Sequence, residues 1–330
     1  MIISRTPYRI SFCGGGTDFP SFYTQEPGYV LSTSIDKYLY VIARRQIGLV
    51  EHKYRINYSM VEFCKEIEEI QHPIVREAFK LYGIDFPIEI TTFADIPAYT
   101  GLGSSSAFAV GLLHALSGLQ GKYRTKHELA TEAAKIEIEV LGRSIGKQDH
   151  FASAYGNFNV FRFEENGKVV IEPVFYRQEV IESINRNLLL FYTGQKRDAS
   201  EVLKSQEENQ HTKMDNLRLM KNQVFELRKI ISEGKKLQQI GELLNIGWQA
   251  KRELSPLTTN SQIDGWYRSA MEAGAIGGKI LGAGGGGFLL LFAEPQNHSE
   301  IRKALSDLFE VPFNFDREGS MIQHYSQPTV

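Results

Sequence analysis

The segment Pro97-Ala98-Tyr99-Thr100-Gly101-Leu102-Gly103-Ser104-Ser105-Ser106-Ala107 carries the strongest chemical signal in the chain. It follows residues of strand character and opens into an apolar run that reads as a helix. Glycines let backbone amides come close to an anion, and a helix N-terminus adds N–H groups and the positive end of the helix dipole. The three serines add hydroxyls that can bond phosphate oxygens or ligate Mg²⁺ through oxygen. A serine-capped helix after a flexible turn is the plainer alternative, but a cap needs one serine and neither glycine. No Lys follows the second glycine, so the segment is not a Walker A loop.

Two more glycine-rich segments frame this one. Lys279-Ile280-Leu281-Gly282-Ala283-Gly284-Gly285-Gly286-Gly287-Phe288 contains the G-x-G-x-x-G spacing of a dinucleotide site. It leads into a strand, Phe288 to Phe292, where a dinucleotide fingerprint would open a helix, so an NAD site is rejected. A glycine loop where two backbones pass closely is an equal alternative at this point. The other segment runs from Pro7 to Asp18. It sets Arg9 on a strand, then a turn of Gly14 to Gly16, then Thr17 and Asp18. Alone, Asp18 is an ordinary turn residue; in company with the other two loops it becomes a candidate.

The acids come next. A helix over 126–141 puts Glu137 on one face with Ala133, Ala134, Val140 and Leu141. A carboxylate among small apolar neighbours is costly unless something pairs with it, and a metal ion, an Arg or a Lys would each serve. After Gly142 comes Arg143-Ser144-Ile145-Gly146-Lys147-Gln148-Asp149-His150-Phe151. Asp149 is expected on a connection between ordered elements, where catalytic groups concentrate. His150 invites attention as a base, although a lone His is more often structural.

These groups need a frame. Residues 2–12 alternate apolar and polar, and 29–45 are rich in β-branched and aromatic types, so strands are expected in both, and in 54–60 and 87–93. Helical spacing marks 72–82, and Ala107 to Leu119 reads as a buried helix. Strand character returns from Ala154 to Phe163. Beyond Asn185 a strand, Leu188 to Tyr192, precedes helices over 199–232, 236–253, 261–273 and 298–308, the last ending the regular structure. Strand-rich first and helix-rich later, the chain is expected to be α+β with two lobes, 1–185 and 186–330.

Bulk numbers exclude several classes. In 330 residues there are 37 basic and 39 acidic side chains, with no basic stripe, so no nucleic-acid partner is expected. No apolar run approaches ~18 residues and no signal peptide pattern opens the chain, so no membrane partner is expected either. Two cysteines without metal spacing, Cys13 and Cys64, suit a reducing cytoplasm. A homodimer is left open.

In this order, the three glycine segments resemble the three motifs of the GHMP kinases, from Pro7 to Phe292. The resemblance implies a two-lobed fold, with an N-terminal mixed α/β domain containing a left-handed βαβ unit and a ferredoxin-like C-terminal domain. It implies ATP as phosphate donor, cradled by Pro97 and the loop Gly101, Leu102, Gly103, Ser104, Ser105 and Ser106. By the same resemblance Ser105 and Glu137 hold Mg²⁺, Asp149 takes the proton from the substrate hydroxyl, and Arg9 stabilises charge near the transferred phosphoryl. Asp18, with Gly15, Gly16 and Thr17, falls where sugar hydroxyls are bound, and Gly284 and Gly285 border the substrate.

Within the family, Arg5 to Asp18 and Ser32-Thr33-Ser34-Ile35-Asp36-Lys37-Tyr38 resemble the D-glycero-D-manno-heptose 7-phosphate kinases. Fucokinase-type domains share part of the Gly-Gly-Gly-Thr-Asp loop. A sugar phosphate needs a second anion site, for which Arg197 and Lys196 are the first candidates, ahead of Arg44 and Arg143.

Overall fold

Two long runs of strand-forming residues set the architecture. They become β1 (Ile2–Cys13) and β2 (Gly28–Arg45), antiparallel and paired from Ile2 opposite Ala43 to Cys13 opposite Leu31. The register shifts between Pro7 and Tyr8. Pro7 has no N–H to give the ladder, and opposite this step β2 carries two extra residues, Asp36 and Lys37.

A computed structural model describes residues 1–47, 49, 51–195, 199–209 and 213–326. After β1 come α1 (Pro20–Tyr23), β2, β3 (Tyr54–Asn57), β4 (Val61–Cys64), α2 (Pro73–Tyr82), β5 (Ile88–Ala94), α3 (Ser104–Leu119) and α4 (Lys126–Ala134). Next are α5 (Gln148–Tyr155), β6 (Asn159–Phe163), β7 (Val169–Pro173) and α6 (Gln178–Arg186). The later part holds β8 (Leu188–Tyr192), α7 (Ala199–Asn209), α8 (Met214–Glu233), α9 (Gln239–Arg252), α10 (Ser261–Glu272), β9 (Ala275–Ile280) and β10 (Phe288–Ala293). It closes with α11 (His298–Ala304), β11 (Phe309–Glu310), β12 (Phe315–Asp316) and β13 (Met321–Tyr325).

The strands make two sheets, as an α+β chain requires. The larger has the order β13-β1-β2-β5-β3-β4, with β12 and β6 also on β2 and β7 on β6. Of its described pairings only β3 with β5 is parallel. The smaller sheet, β11-β8-β10-β9, is antiparallel throughout. Helix α3 lies across β1 and β2. Gly111 permits that closeness, since a Cβ there would stand 2.8 Å from the Thr6 hydroxyl. One apolar core runs through both parts of the chain, joining Ile10 and Phe12 to Val224, Leu227 and Phe288. A second, around Trp248, Ile263 and Leu289, lies under the smaller sheet.

Four expectations are corrected. The helix over 126–141 is α-helical only to Ala134; Lys135–Val140 is a π-helical turn. The helix over 199–232 is two, α7 and α8. Strand character from Ala154 is delayed to Asn159, because Gln148–Tyr155 is helix, and Asp149 therefore sits in the first turn of α5 rather than on a connection. Finally, regular structure does not end near 308. β12 and β13 return to the larger sheet and pair with β2 and β1.

Candidate active site

The Gly101–Ser106 loop ends on an uncapped helix. Gly103 is the N-cap of α3, in the left-handed region at φ 77°, and no side chain caps the first turn. The serine-cap alternative is thereby rejected: the serines are inside the helix, and Gly103 has no side chain to offer. The leading amides of α3 remain free of a side-chain competitor, which is the arrangement that binds phosphate. Gly101, also left-handed at φ 81°, and Tyr99, at φ 64°, shape the approach, and the Thr100 hydroxyl ties it by donating to the Pro97 carbonyl at 2.9 Å.

Arg9 joins this loop to the first turn of α5. Its Nη1 donates to the Gly101 carbonyl at 2.7 Å, while Nε and Nη2 each donate to a different oxygen of Asp149 at 2.6 Å. The fork holds the carboxylate in a fixed plane. Arg9 is 3% exposed and Asp149 24%, so one edge of the acid still meets solvent or a substrate. A Cβ on Gly103 would lie 3.4 Å from Asp149 Oδ2, which places the acid directly beside the helix N-terminus.

Glu137 is wholly buried, and both its oxygens are engaged. Oε1 accepts from Ser105 Oγ and from Arg143 Nη1, and Oε2 is 2.9 Å from His150 Nε2. An ionised carboxylate can only accept, so His150 donates through Nε2. Burial pushes the Glu137 carboxyl up, but the bonds from His150 and Ser105, with the charge of Arg143, hold it below the ordinary range. Glu137 stands in the π-helical turn Lys135–Val140, a distortion common at functional sites. Arg143 also donates to Ser105 Oγ at 2.7 Å, so hydroxyl and carboxylate together already cradle one cationic group. Two hard oxygen donors converging on a cation fit Mg²⁺ in chemistry. Among the described residues no three His, Cys, Asp or Glu side chains are arranged to hold a metal. An ion here would draw its remaining ligands from phosphate and water.

The other two loops close around these groups. Gly282 and Gly287 pack on the Thr100–Gly101 turn backbone to backbone: added Cβ atoms would come within 2.6 Å of Gly101 Cα and 2.2 Å of the Thr100 carbonyl oxygen. Close passage of two backbones, the alternative left open from the sequence, is thus what this third motif does. Gly285 N–H donates to the Thr258 carbonyl at 2.7 Å, and Gly284 lies against the same residue. In the first loop Thr17 is engaged internally, its hydroxyl against the Gly14 and Tyr29 carbonyls at 2.8 and 2.9 Å. Asp18 is 1% exposed; it accepts from Gly16 N–H at 3.0 Å and from the Gln148 N–H at 3.2 Å, capping α5 from across the chain. Burial, then the nearby charge of Asp149, raises its pKa. Gly15 approaches the Gln148 side chain, so the loop borders Asp149's own helix.

Of the candidates for a second anion site, Lys196 and Arg197 lie outside the described residues. Arg44 pairs with Glu89 at 2.8 Å on the larger sheet, and Arg143 is held by Glu137 and Ser105. His150 is fully buried behind Glu137 and braces it. Two buried lysines escaped notice in the sequence: Lys251, bonded to the Gly282 carbonyl, and Lys279, bonded to the carbonyls of Ser11 and Phe12. Nothing in their local patterns marks them, since a Lys near the end of a helix or in a strand is ordinarily a solvated one.

Comparison with known proteins bears on this arrangement. The family model for the GHMP kinases N terminal domain matches residues 63–157, and that for the GHMP kinases C terminal region matches residues 195–311. D-glycero-alpha-D-manno-heptose 7-phosphate kinase of Campylobacter jejuni is 26% identical over 338 residues, covering 96% of this chain and 97% of its own. A mevalonate kinase of Pyrococcus horikoshii is 30% identical over 334 residues, with 98% and 90% covered. Among solved structures, a D-glycero-D-manno-heptose 1-phosphate kinase from Bacteroides thetaiotaomicron superposes with a TM-score of 0.81. That match covers 99% of this chain and 100% of the other at 23% identity, a shared fold. Uncapped helix, forked Arg–Asp pair and matched halves agree: this chain belongs to the GHMP kinases, ATP-dependent phosphotransferases with an alcohol group as acceptor.

Proposed function

We propose that this kinase transfers the γ-phosphoryl of ATP to the anomeric hydroxyl of a sugar phosphate, D-glycero-D-manno-heptose 7-phosphate, giving the 1,7-bisphosphate. The observation that carries the reaction is the Arg9–Asp149 fork beside the N-terminus of α3. The sugar is supported by the Arg5–Asp18 and Ser32–Tyr38 segments and by the relative from Campylobacter jejuni. The matched regions fall on either side of residue 185, which supports a nucleotide-binding part before it and a C-terminal part after it, except that β12 and β13 return to the first part's sheet.

In this reading the amides at the head of α3 and the Gly101–Ser106 loop orient the nucleotide phosphates. Asp149 accepts the proton of the attacking hydroxyl as the new O–P bond forms. Arg9 holds the Asp149 carboxyl group in place through the fork and aims its free edge. Asp18, with the Gly15–Gly16 turn, bears on the sugar's other hydroxyls, and Gly284 and Gly285 border it. Ser105 and Glu137 would hold Mg²⁺, which when bound supplies charge neutralisation at the phosphates.

The test is ADP release with Mg-ATP against D-glycero-D-manno-heptose 7-phosphate, L-fucose, galactose and N-acetylhexosamines, for wild type and Asp149→Asn. Turnover is expected with the heptose phosphate, with a loss of about 10²-fold or more in the variant. Because Asp149→Asn leaves Arg9 buried without its anion, circular dichroism must show the variant folded at the assay temperature. Turnover with L-fucose instead would replace the sugar and keep Asp149. No sugar-stimulated turnover at all would make the chain a sensor on a kinase scaffold.

A further inference from the structure

Near the end of α9 stands a lysine for which the mechanism so far has no use. Lys251 is 6% exposed; its ammonium donates to the Gly282 carbonyl, and among the described residues it enters no ion pair. A buried ammonium with only a carbonyl for company is an expensive group to fold around. Burial accordingly holds its pKa well below the ordinary range, the charges of Lys279 and Arg9 push the same way, and Asp149 and Asp18 oppose them. The same neighbours place it electrically inside the active site.

Its position is specific. Gly282, the residue it bonds, packs on Gly101, with an added Cβ 2.6 Å from Gly101 Cα. Arg9 donates to the Gly101 carbonyl at 2.7 Å. Two cations therefore reach the same turn of the phosphate loop, one directly and one through the third glycine loop. Both of Arg9's remaining donor arms are committed to Asp149, so its charge is largely matched. Lys251 thus lies among Arg9 and Lys279 on the basic side and Asp149 and Asp18 on the acidic side. The setting is water-poor and lies beside the Gly101–Ser106 loop.

We propose that Lys251 is a second cation for the transferring phosphoryl group, engaging the terminal phosphate of the nucleotide across the Gly282–Gly101 contact. Transfer spreads negative charge over the equatorial oxygens of that group, and a positioned ammonium in a low-dielectric site stabilises the charge without reorganising. Arrival of the phosphate also restores the lysine's proton affinity, because an opposite charge favours the ionised form. The inference rests on the loop being the nucleotide phosphate site but not on the identity of the sugar.

Lys251→Met and Lys251→Gln test it, the second retaining a donor for the Gly282 carbonyl while removing the charge. Calorimetric titration with AMPPNP and with ADP separates terminal phosphate from the rest of the nucleotide, and steady-state kinetics give kcat and KM with ATP. Both variants are expected to lose about tenfold or more in AMPPNP affinity, to keep ADP affinity within about twofold, and to fall about 10²-fold in kcat. Should Lys251→Met not fold, Lys251→Gln decides alone. Wild-type nucleotide behaviour in Lys251→Gln would overturn the proposal and leave Lys251 a structural donor. Equal loss for both nucleotides, or a rise confined to the KM of a phosphorylated sugar, would overturn it too, the latter by moving the lysine to the acceptor's phosphate. A wild-type chain that binds neither nucleotide would defeat the phosphate-loop reading itself, and this proposal with it.

Discussion

Asp18 is buried beside Asp149, and its carboxyl is raised above the usual value of 3.8. A raised carboxyl means that the folded state binds the proton more tightly than the unfolded chain does. Between the unfolded and folded values, stability therefore falls as pH rises, because ionisation is costlier in the native site. Asp18→Asn removes that penalty. Relative to wild type, the variant should gain in unfolding free energy as pH goes from about 4 to about 7, measured by chemical denaturation at each pH. A difference that stays constant over that range would show that Asp18 is not raised. At this scale the sequence marked candidate residues more readily than their partners. Arg9, Asp18, Glu137 and Asp149 stand out by type and local setting. That Arg9 forks onto Asp149, 140 positions away, and that His150 and Arg143 share Glu137 are tertiary facts.

Elements explain why the glycines cannot be replaced. Gly101 is left-handed and would drive a Cβ to 2.6 Å from the Leu281 carbonyl oxygen, whereas Gly121, left-handed at φ 68°, has nothing within 4 Å. Gly121→Ala should cost about 1–2 kcal/mol, the backbone preference alone. Gly101→Ala should cost at least about 1 kcal/mol more, since the clashing atom belongs to the backbone of the third loop, and nucleotide binding should go with it. Denaturant unfolding of the two variants side by side checks the difference; equal costs would mean the loops are not stacked. Strands at 188–192 and 288–292 and the helix at 72–82 were readable because period and composition agreed. The π-helical turn at Lys135–Val140 was not, because residues suited to an α-helix also tolerate one extra residue per turn where tertiary contacts on Glu137 reward it. The helical pattern over 148–155 was hidden by small residues that suit either state.

For the molecule as a whole, the last strands matter out of proportion to their length. β13 pairs with β1 from Ile2 opposite Tyr325, and Asp316, on β12, accepts from the Tyr38 hydroxyl at 3.0 Å and from the N–H groups of Glu318 and Gly319. Ser320, buried, bonds Thr6 and His114. A chain ending at residue 311 should accordingly expose the β1 edge and lose amide-exchange protection over Ile2 to Arg5. Hydrogen-exchange mass spectrometry would read this directly, and unchanged protection there would sink the idea that the tail closes the sheet. The shared core joining Ile10, Phe12, Val224 and Phe288 also predicts one unfolding transition by calorimetry rather than two.

The division between sequence and structure follows from range. Local chemistry, in the form of three glycine loops, an apolar helix behind one of them and a few acids in telling places, was enough to mark a candidate phosphate site, an α+β chain and a family resemblance. Each of those signals is carried by residues within about a dozen positions of one another, where backbone preferences and side-chain periodicity act directly. The return of the tail to β1, the stacking of Gly282 on Gly101, and the two buried lysines behind the loops were decided by tertiary structure. A lysine's own neighbours in sequence say nothing about how far from water the fold will carry it, and burial, not residue type, is what turns Lys251 from a surface charge into a candidate for chemistry.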